Sequence, residues 1–162
     1  DHYTLSERLE FEAARNSDHV FTITSALRDI LLENGIAPEK VSVLPNAVDP
    51  ERFDIAPRNV ELETELGYAD KVVIGYIGSF VEYEGLELLL EATAQLKNEI
   101  GDGFRVLMVG DGSIHEKLRR MTRFLAIEDI VTFTGRVSYD EVEKYYSLID
   151  IVLFHSPLCF AE

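Results

Sequence analysis

Short apolar runs alternate with helix-like stretches through most of this sequence, and this alternation limits the fold more than any other feature does. It predicts a parallel α/β sheet with helices on both faces. The runs are rich in Val, Ile, Leu and Phe and have the length of strands rather than of helices. The predicted strands are His19 to Thr24, Val41 to Leu44, Val72 to Ile77, Arg105 to Val109, Ile130 to Phe133 and Ile151 to Phe154.

The stretches between these strands carry helix start and stop signals. Ser25 is the predicted N-cap of a helix that runs to Asn34, and Gly35 follows where a left-handed residue belongs. A second helix is predicted from Leu86 to Ile100. Its apolar side, which we expect to pack on the sheet, consists of Leu86, Leu89, Leu90, Leu96 and Ile100.

Two further helix starts show a Ser followed three residues later by a Glu, the spacing of a capping box. These pairs are Ser113 with Glu116 and Ser138 with Glu141. After Ser113, an apolar stripe of Ile114, Leu118, Met121 and Leu125 is opposed by Lys117, Arg119, Arg120 and Arg123. We interpret the basic side as a solvated helix face, with phosphate steering as the alternative.

Composition excludes several classes of protein. The 30 acidic residues outnumber the 15 basic ones, and the resulting net charge of -15 opposes a broad grip on nucleic acid or on an anionic membrane. No apolar stretch has the length of a membrane span, and from the polar residues at the start we expect no signal peptide. The single cysteine, Cys159, cannot form an internal disulfide, which favours a reducing, cytoplasmic setting.

The stretch from Asn46 to Asp70 interrupts the alternation, since it is rich in acids and in proline. We interpret residues 50–70 as an interdomain connection. Residues 1–49 are then the closing segment of an N-terminal domain, and residues 71–162 are the first part of a C-terminal domain. Because the chain starts at Asp1 and two strands cannot form a complete sheet, we expect it to be a piece of a longer protein.

Three successive predicted strands end in turns that contain glycine. The first is Ile77-Gly78-Ser79, with Gly85 opening the next helix; the second is Gly110-Asp111-Gly112; the third is Gly135-Arg136-Val137. In an open parallel sheet these turns share the edge at which ligands bind, and a helix start there suits a phosphate. Each turn alone is equally consistent with an ordinary tight turn. Gly110 and Gly112 do not form a dinucleotide fingerprint, because His115 stands where a third glycine is required.

An ordered series of motifs from about Asp18 to Asp150 resembles the retaining group 1 (family-four) glycosyltransferases, which have a two-domain GT-B architecture with Rossmann-like domains. The series consists of Pro45-Asn46-Ala47-Val48-Asp49 with Phe53, Ile74 to Gly78, Gly85-Leu86, Leu88 to Ala92, Val109 to Gly112, Thr134 to Val137 and Tyr145 to Asp150. Ala47 replaces the usual glycine of the first motif.

The resemblance implies the role of several residues. Gly78, Ser79 and Gly85 would border the donor diphosphate, while Gly110, Gly112, Arg136 and Val137 would lie at the nucleotide. Glu162 would be the catalytic residue, as the first glutamate of the pair that the family uses around the donor sugar and ribose. Many relatives carry an Arg and a Lys where this chain has Ser79 and Glu84, and a carboxylate is repulsive to a diphosphate.

The implied function is transfer of a sugar from a UDP-, GDP- or ADP-sugar to a saccharide or lipid-linked acceptor, as in polysaccharide biosynthesis, with retention of configuration. A nucleotide-sugar epimerase and a degenerate, noncatalytic nucleotide-binding domain are the alternatives. We expect no cofactor and no metal, since His2, His19, His115 and His155 show no ligand spacing. We also expect cytoplasmic localisation, at the inner face of the membrane for the full-length protein. The fragment alone is expected to be inactive and to self-associate through exposed sheet edges.

Overall fold

The computed structural model describes residues 2–48 and 56–154, which form two compact units. The first unit, residues 2–48, contains α1 (His2–Asn16), β1 (Val20–Thr22), α2 (Ser25–Glu33) and β2 (Val41–Val43), with a short 3-10 turn at Pro38–Lys40. The strands β1 and β2 pair in parallel, and the unit is centred on Ala14, Ile36 and Val41. The sequence pattern did not indicate α1.

The start of α2 corrects the predicted cap by one residue. Thr24, not Ser25, is the N-cap, because Thr24 has the extended backbone of a cap and its hydroxyl accepts the amide of Leu27 at 3.1 Å. Ser25 is already the first helical residue. The helix ends at Glu33, and Gly35 has the expected left-handed φ of +81°.

The second unit, residues 56–154, has a four-stranded parallel sheet with the order β5-β4-β3-β6. Its elements are α3 (Val60–Leu66), β3 (Val72–Ile77), α4 (Leu86–Ile100), β4 (Phe104–Val109), α5 (His115–Phe124), β5 (Val131–Gly135), α6 (Val142–Tyr146) and β6 (Ile151–Val152). All six predicted strands are present, and none of their ends differs from the predicted residue by more than three residues. The predicted α/β class is confirmed.

Alternate residues of β4 point into two different cores. Val106 and Met108 belong to one buried cluster, together with Leu90 from α4 and Leu118 from α5. Leu107 and Val109 belong to the other, against which the partly buried Leu66 of α3 and Tyr145 of α6 pack. The sheet is therefore covered on both faces. This explains why apolar and polar residues do not alternate along β4, one of its two central strands.

The residues predicted for the apolar sides of α4 and α5 belong to the core, with one exception. Ile114 and Leu118 are buried, with Met121 and Leu125 packed against them. Ile100 is 62% exposed, because α4 ends at this residue and it does not belong to the core cluster. None of the helices in the described ranges is long and apolar enough to cross a membrane.

Neither predicted capping box forms. The helix α5 begins only at His115, and no side chain caps it. The amide of Ile114, just before it, donates to the carbonyl of Phe80 at 3.1 Å. Before α6, the hydroxyl of Ser138 donates to the Glu141 carboxylate at 2.9 Å, and no side chain caps this helix either. The Ser–Glu spacing was misleading in both cases, because each helix begins later than the spacing predicts.

Asp150 connects the segment before α3 to the start of β3. Its Oδ2 accepts the amide of Val73 at 2.7 Å, and its Oδ1 accepts from the Arg58 guanidinium at 3.0 Å. Arg58 also donates to Glu63 at 2.6 Å, and this bond is the main reason why the pKa of Arg58 is raised. Asp150 thus ties β3 and β6 to the entrance of α3.

Candidate donor site

The three glycine turns lie together at the carboxyl edge of the sheet, because β3, β4 and β5 run in parallel. Between them is an open concavity of about 340 Å³. Each turn contributes to its wall: Gly78 and Ser79 from the first, Gly110 and Asp111 from the second, and Arg136 and Val137 from the third. Five of the seven non-catalytic residues predicted for the site therefore share one cavity.

Hydrogen bonds between the turns hold this edge in place. The amide of Gly78 donates to Val109 at 3.0 Å, and the amide of Gly110 donates to Gly135 at 3.0 Å. These two turn amides are thus used inside the protein. In Ser79, by contrast, neither the amide nor the hydroxyl has a hydrogen-bond partner among residues 2–48 and 56–154, and the residue is exposed in the concavity. Ser79 therefore offers two donors to a ligand.

Gly110 and Gly112 are required by packing between loops rather than by room for a ligand. Gly110 has a φ of +134°, and a Cβ there would collide with the carbonyl oxygen of Gly78. A Cβ on Gly112 would collide with the backbone of Phe80. Gly112 is not among the residues that line the concavity, and neither is Gly85, whose left-handed backbone (φ +64°) directly precedes α4.

Arg136 is the basic side chain among the described residues that line the concavity, and Asp111 is the acidic one. Arg136 is exposed and makes no hydrogen bond or salt bridge with any residue in the described ranges. Its charge is one of the weaker causes that lower the pKa of Asp111; the hydrogen bond from His115 is the largest. The guanidinium is therefore available to an anionic ligand.

Glu84 does not line this concavity. It lies near the phenol of Tyr76, which donates to the carbonyl of Ser79 at 3.0 Å. Burial, followed by the charge of Glu84, raises the pKa of Tyr76 to about 12. The carboxylate that replaces a basic residue in the motif thus sits on the side of the loop that faces Tyr76.

The basic residues of α5 do not reach the concavity either. Lys117 pairs with Glu87 at 2.6 Å and Arg123 with Glu128 at 3.3 Å, while Arg119 and Arg120 are exposed. These contacts favour the solvated-face interpretation over phosphate steering. No group of three or more metal-binding side chains occurs among the described residues. The predicted catalytic Glu162 lies outside the described residues.

Sequence reasoning missed Asp111, Ser138 and Tyr139, which also line the concavity. A signal for Asp111 was present, since it stands between two glycines at a strand end and four residues before His115. Its carboxylate Oδ1 accepts from His115 Nδ1 at 2.7 Å and from the amide of Gly112 at 2.8 Å. The spacing alone did not reveal this pair, because Asp111 lies before α5 and the spacing does not show which way its side chain is oriented.

The geometry agrees with a comparison against known families. The family described as "Glycosyl transferases group 1" matches residues 60–158, which is more than half of the chain. The chain belongs to this glycosyltransferase family. The N-terminal part, residues 2–52, matches a second family described as "Glycosyltransferase Family 4".

Two individual relatives of this group 1 glycosyltransferase chain are also named as glycosyltransferases, in agreement with the family assignment. It is 30% identical over 158 residues to 2-deoxystreptamine glucosyltransferase of Streptomyces kanamyceticus, covering 95% of this chain and 41% of the relative. It is 29% identical over 91 residues to a GDP-mannose-dependent mannosyltransferase of Mycobacterium tuberculosis, whose acceptor is named as a phosphatidylinositol monomannoside, covering 56% and 23%. The chain thus spans less than half the length of these relatives.

The fold is also that of solved glycosyltransferases. The crystal structure of Anabaena HepE in complex with UDP and glucose superposes with a TM-score of 0.77 and 21% identity, over 92% of this chain and 41% of that one. This likeness confirms the GT-B type of fold for this group 1 glycosyltransferase. The predicted boundaries at residues 49 and 70 stay a prediction.

Proposed function

We propose that the full-length protein transfers a sugar from a nucleotide-diphosphate sugar to an acceptor, with retention of the anomeric configuration. One observation carries the proposal: the free donors of Ser79 and the free guanidinium of Arg136 line the same concavity at the carboxyl edge of the sheet. Such an arrangement suits a diphosphate, which gains negative charge as the sugar leaves.

The charges at the concavity support a diphosphate despite the missing basic pair. Arg136 supplies a cation from the third turn, and Glu84 lies against Tyr76 outside the lining. Because donors fixed by the fold need no reorganisation, they stabilise a developing charge more than mobile water does. The degenerate, noncatalytic alternative rests on Ser79 and Glu84, and only an activity test separates it.

The nucleoside and the acceptor are chosen by analogy with relatives. HepE was solved with UDP and glucose, and the mycobacterial relative is named as GDP-mannose-dependent, so we propose a UDP- or GDP-sugar donor. The same relative acts on a phosphatidylinositol glycoside, which favours a saccharide or lipid-linked acceptor at the cytoplasmic face of a membrane. The matched families are glycosyltransferases, so the epimerase alternative has no support. We propose Glu162 as the first of the paired glutamates.

The test uses the full-length protein with UDP-, GDP- and ADP-sugars and a membrane lipid extract. We expect transfer from one donor, with the product anomer identical to the donor anomer by NMR. Interconversion of the sugar without transfer would establish an epimerase, and nucleotide binding without transfer or interconversion would establish a degenerate, noncatalytic domain. Absence of any nucleotide binding would refute the proposed function.

A matched pair of charge deletions tests the site itself. Arg136→Ala is expected to weaken donor binding by about tenfold, because it removes a charged hydrogen-bond donor. Arg119→Ala removes the same charge from an exposed position of α5 away from the concavity and should leave binding unchanged. Equal effects of the two variants would reduce the role of Arg136 to general electrostatics.

A further inference from the structure

The Asp111 carboxylate belongs to the lining of the concavity; one of its oxygens is bonded within the protein, and the other has no partner among the described residues. Oδ1 accepts from both His115 Nδ1 and the amide of Gly112, at 2.7 and 2.8 Å. No hydrogen bond reaches Oδ2 from any residue in the described ranges. Because two donors hold Oδ1, rotation of the carboxylate is restricted and Oδ2 keeps its direction.

His115 is itself held rigidly. Its ring stacks on Phe133 with centroids 5.4 Å apart and meets the edge of Phe80 at 5.4 Å, and its side chain is 17% exposed. Its Nε2 is buried and has no hydrogen-bond partner among the described residues. A buried N–H without an acceptor is unfavourable, so the arrangement favours the tautomer with the proton on Nδ1, which donates to Asp111.

The chemistry of Oδ2 determines what it can bind. An ionised carboxylate only accepts hydrogen bonds and repels phosphate oxygens. In the same concavity, Ser79 and Arg136 offer donors that suit phosphate. A ligand that satisfies both sets carries a phosphate group and, next to it, an O–H or N–H group. The nucleoside of a nucleotide diphosphate has such groups on its ribose and on its base.

We infer that Asp111, oriented by His115, accepts a hydrogen bond from the nucleoside of the donor and so distinguishes a nucleotide from a bare diphosphate. This inference rests on the proposed function and adds one binding residue, Asp111, and one positioning residue, His115. Neither residue takes part in the bond that is broken.

The decisive variant is Asp111→Asn. The amide oxygen of Asn can keep both bonds made by Oδ1, while its NH₂ group takes the place of Oδ2, so the free atom changes from an acceptor to a donor. Binding of UDP, GDP and inorganic pyrophosphate to the full-length protein is measured by calorimetry. We expect the variant to bind the preferred nucleotide about tenfold more weakly and pyrophosphate as well as the wild type does.

His115→Phe tests the positioning role, because it keeps an aromatic ring between Phe80 and Phe133 but lacks the donor to Asp111. We expect a smaller, about threefold loss for the nucleotide and again none for pyrophosphate. Comparison of UDP with its 2′-deoxy and 3′-deoxy forms then separates the ribose from the base. If the wild type already loses affinity for one deoxy compound and Asp111→Asn adds nothing with that compound, the bond is to the ribose. If the effect of the variant persists with both deoxy compounds, the bond is to the base.

Several results would overturn the inference. Equal losses for nucleotide and pyrophosphate would make Asp111 a purely structural residue of the turn, and tighter binding by Asp111→Asn would mean that its charge repels the diphosphate. If the wild type transfers sugar while Asp111→Asn binds normally, only this inference fails. If the wild type binds neither UDP nor GDP, the proposed function fails and this inference fails with it.

Discussion

Removal of the Asp150 carboxylate is expected to destabilise the second unit mainly through one buried amide. The amide belongs to Val73, a residue with no exposed surface, and it donates to Oδ2 at 2.7 Å. In Asp150→Ala this donor loses its acceptor, which costs about 1–3 kcal/mol. The pair with Arg58 adds less than about 1 kcal/mol, because both side chains are about a third or more exposed and Arg58 keeps its bond to Glu63. We therefore expect the free energy of unfolding to fall by about 2–3 kcal/mol.

Two comparisons separate these contributions. Asp150→Asn keeps an oxygen for the Val73 amide and loses the charge and the hydrogen bond from Arg58, so it should cost about 1 kcal/mol. Glu63→Gln weakens the other partner of Arg58 without touching the buried amide and should cost less than about 1 kcal/mol.

Equilibrium urea denaturation followed by far-ultraviolet circular dichroism measures all three variants, at low salt and at high salt. Salt should reduce the effect of Glu63→Gln and leave most of the effect of Asp150→Ala. If Asp150→Asn is as damaging as Asp150→Ala, or if the cost of Asp150→Ala disappears in salt, then the ion pair and not the buried amide stabilises this junction.

Two further perturbations test the edge of the sheet that forms the site. Gly110→Ala should lower the free energy of unfolding by about 2 kcal/mol or more and also weaken UDP binding, because the new Cβ meets the Gly78 carbonyl and φ is +134°; Gly103→Ala, which has open space around its Cβ, should change stability by less than about 1 kcal/mol in the same denaturation assay. Between about pH 10 and 12 the wild type should lose stability, since Tyr76 ionises near 10 in the unfolded chain but holds its proton to about 12 when folded; in Tyr76→Phe this loss should be smaller, and an unchanged pH profile would contradict the raised pKa.

The strand β4 could be predicted from the sequence because its burial is nearly complete. Val106, Leu107, Met108 and Val109 are all buried, so β4 is a continuous apolar run that only a strand covered on both faces explains. The helix α1 escaped prediction because Ala14 is its buried residue among those whose burial is described, and so little apolar periodicity marks it.

Only the part of the candidate site that follows from the parallel direction of the strands could be predicted from the sequence. Parallel strands bring Gly78, Gly110 and Arg136 to one edge whatever their side chains do, and the motifs place these residues at strand ends. The orientation of Asp111 depends on an imidazole held between two aromatic rings from other elements. The spacing of Asp111 and His115 is local, but the two ring contacts are tertiary, so the sequence pattern does not show that the imidazole is held towards Asp111.

The close approach of the Gly110 backbone to the Gly78 carbonyl has a consequence for how nucleotide preference can diverge in proteins of this shape. Because these two loops are already in contact, no side chain can be added at Gly110 to change the shape of this part of the cavity. This part of the wall is therefore the same for any nucleotide. Selection between bases then falls to the side chains that line the concavity, among them Asp111, Ser138 and Tyr139. Engineering a new donor preference would begin at those three positions.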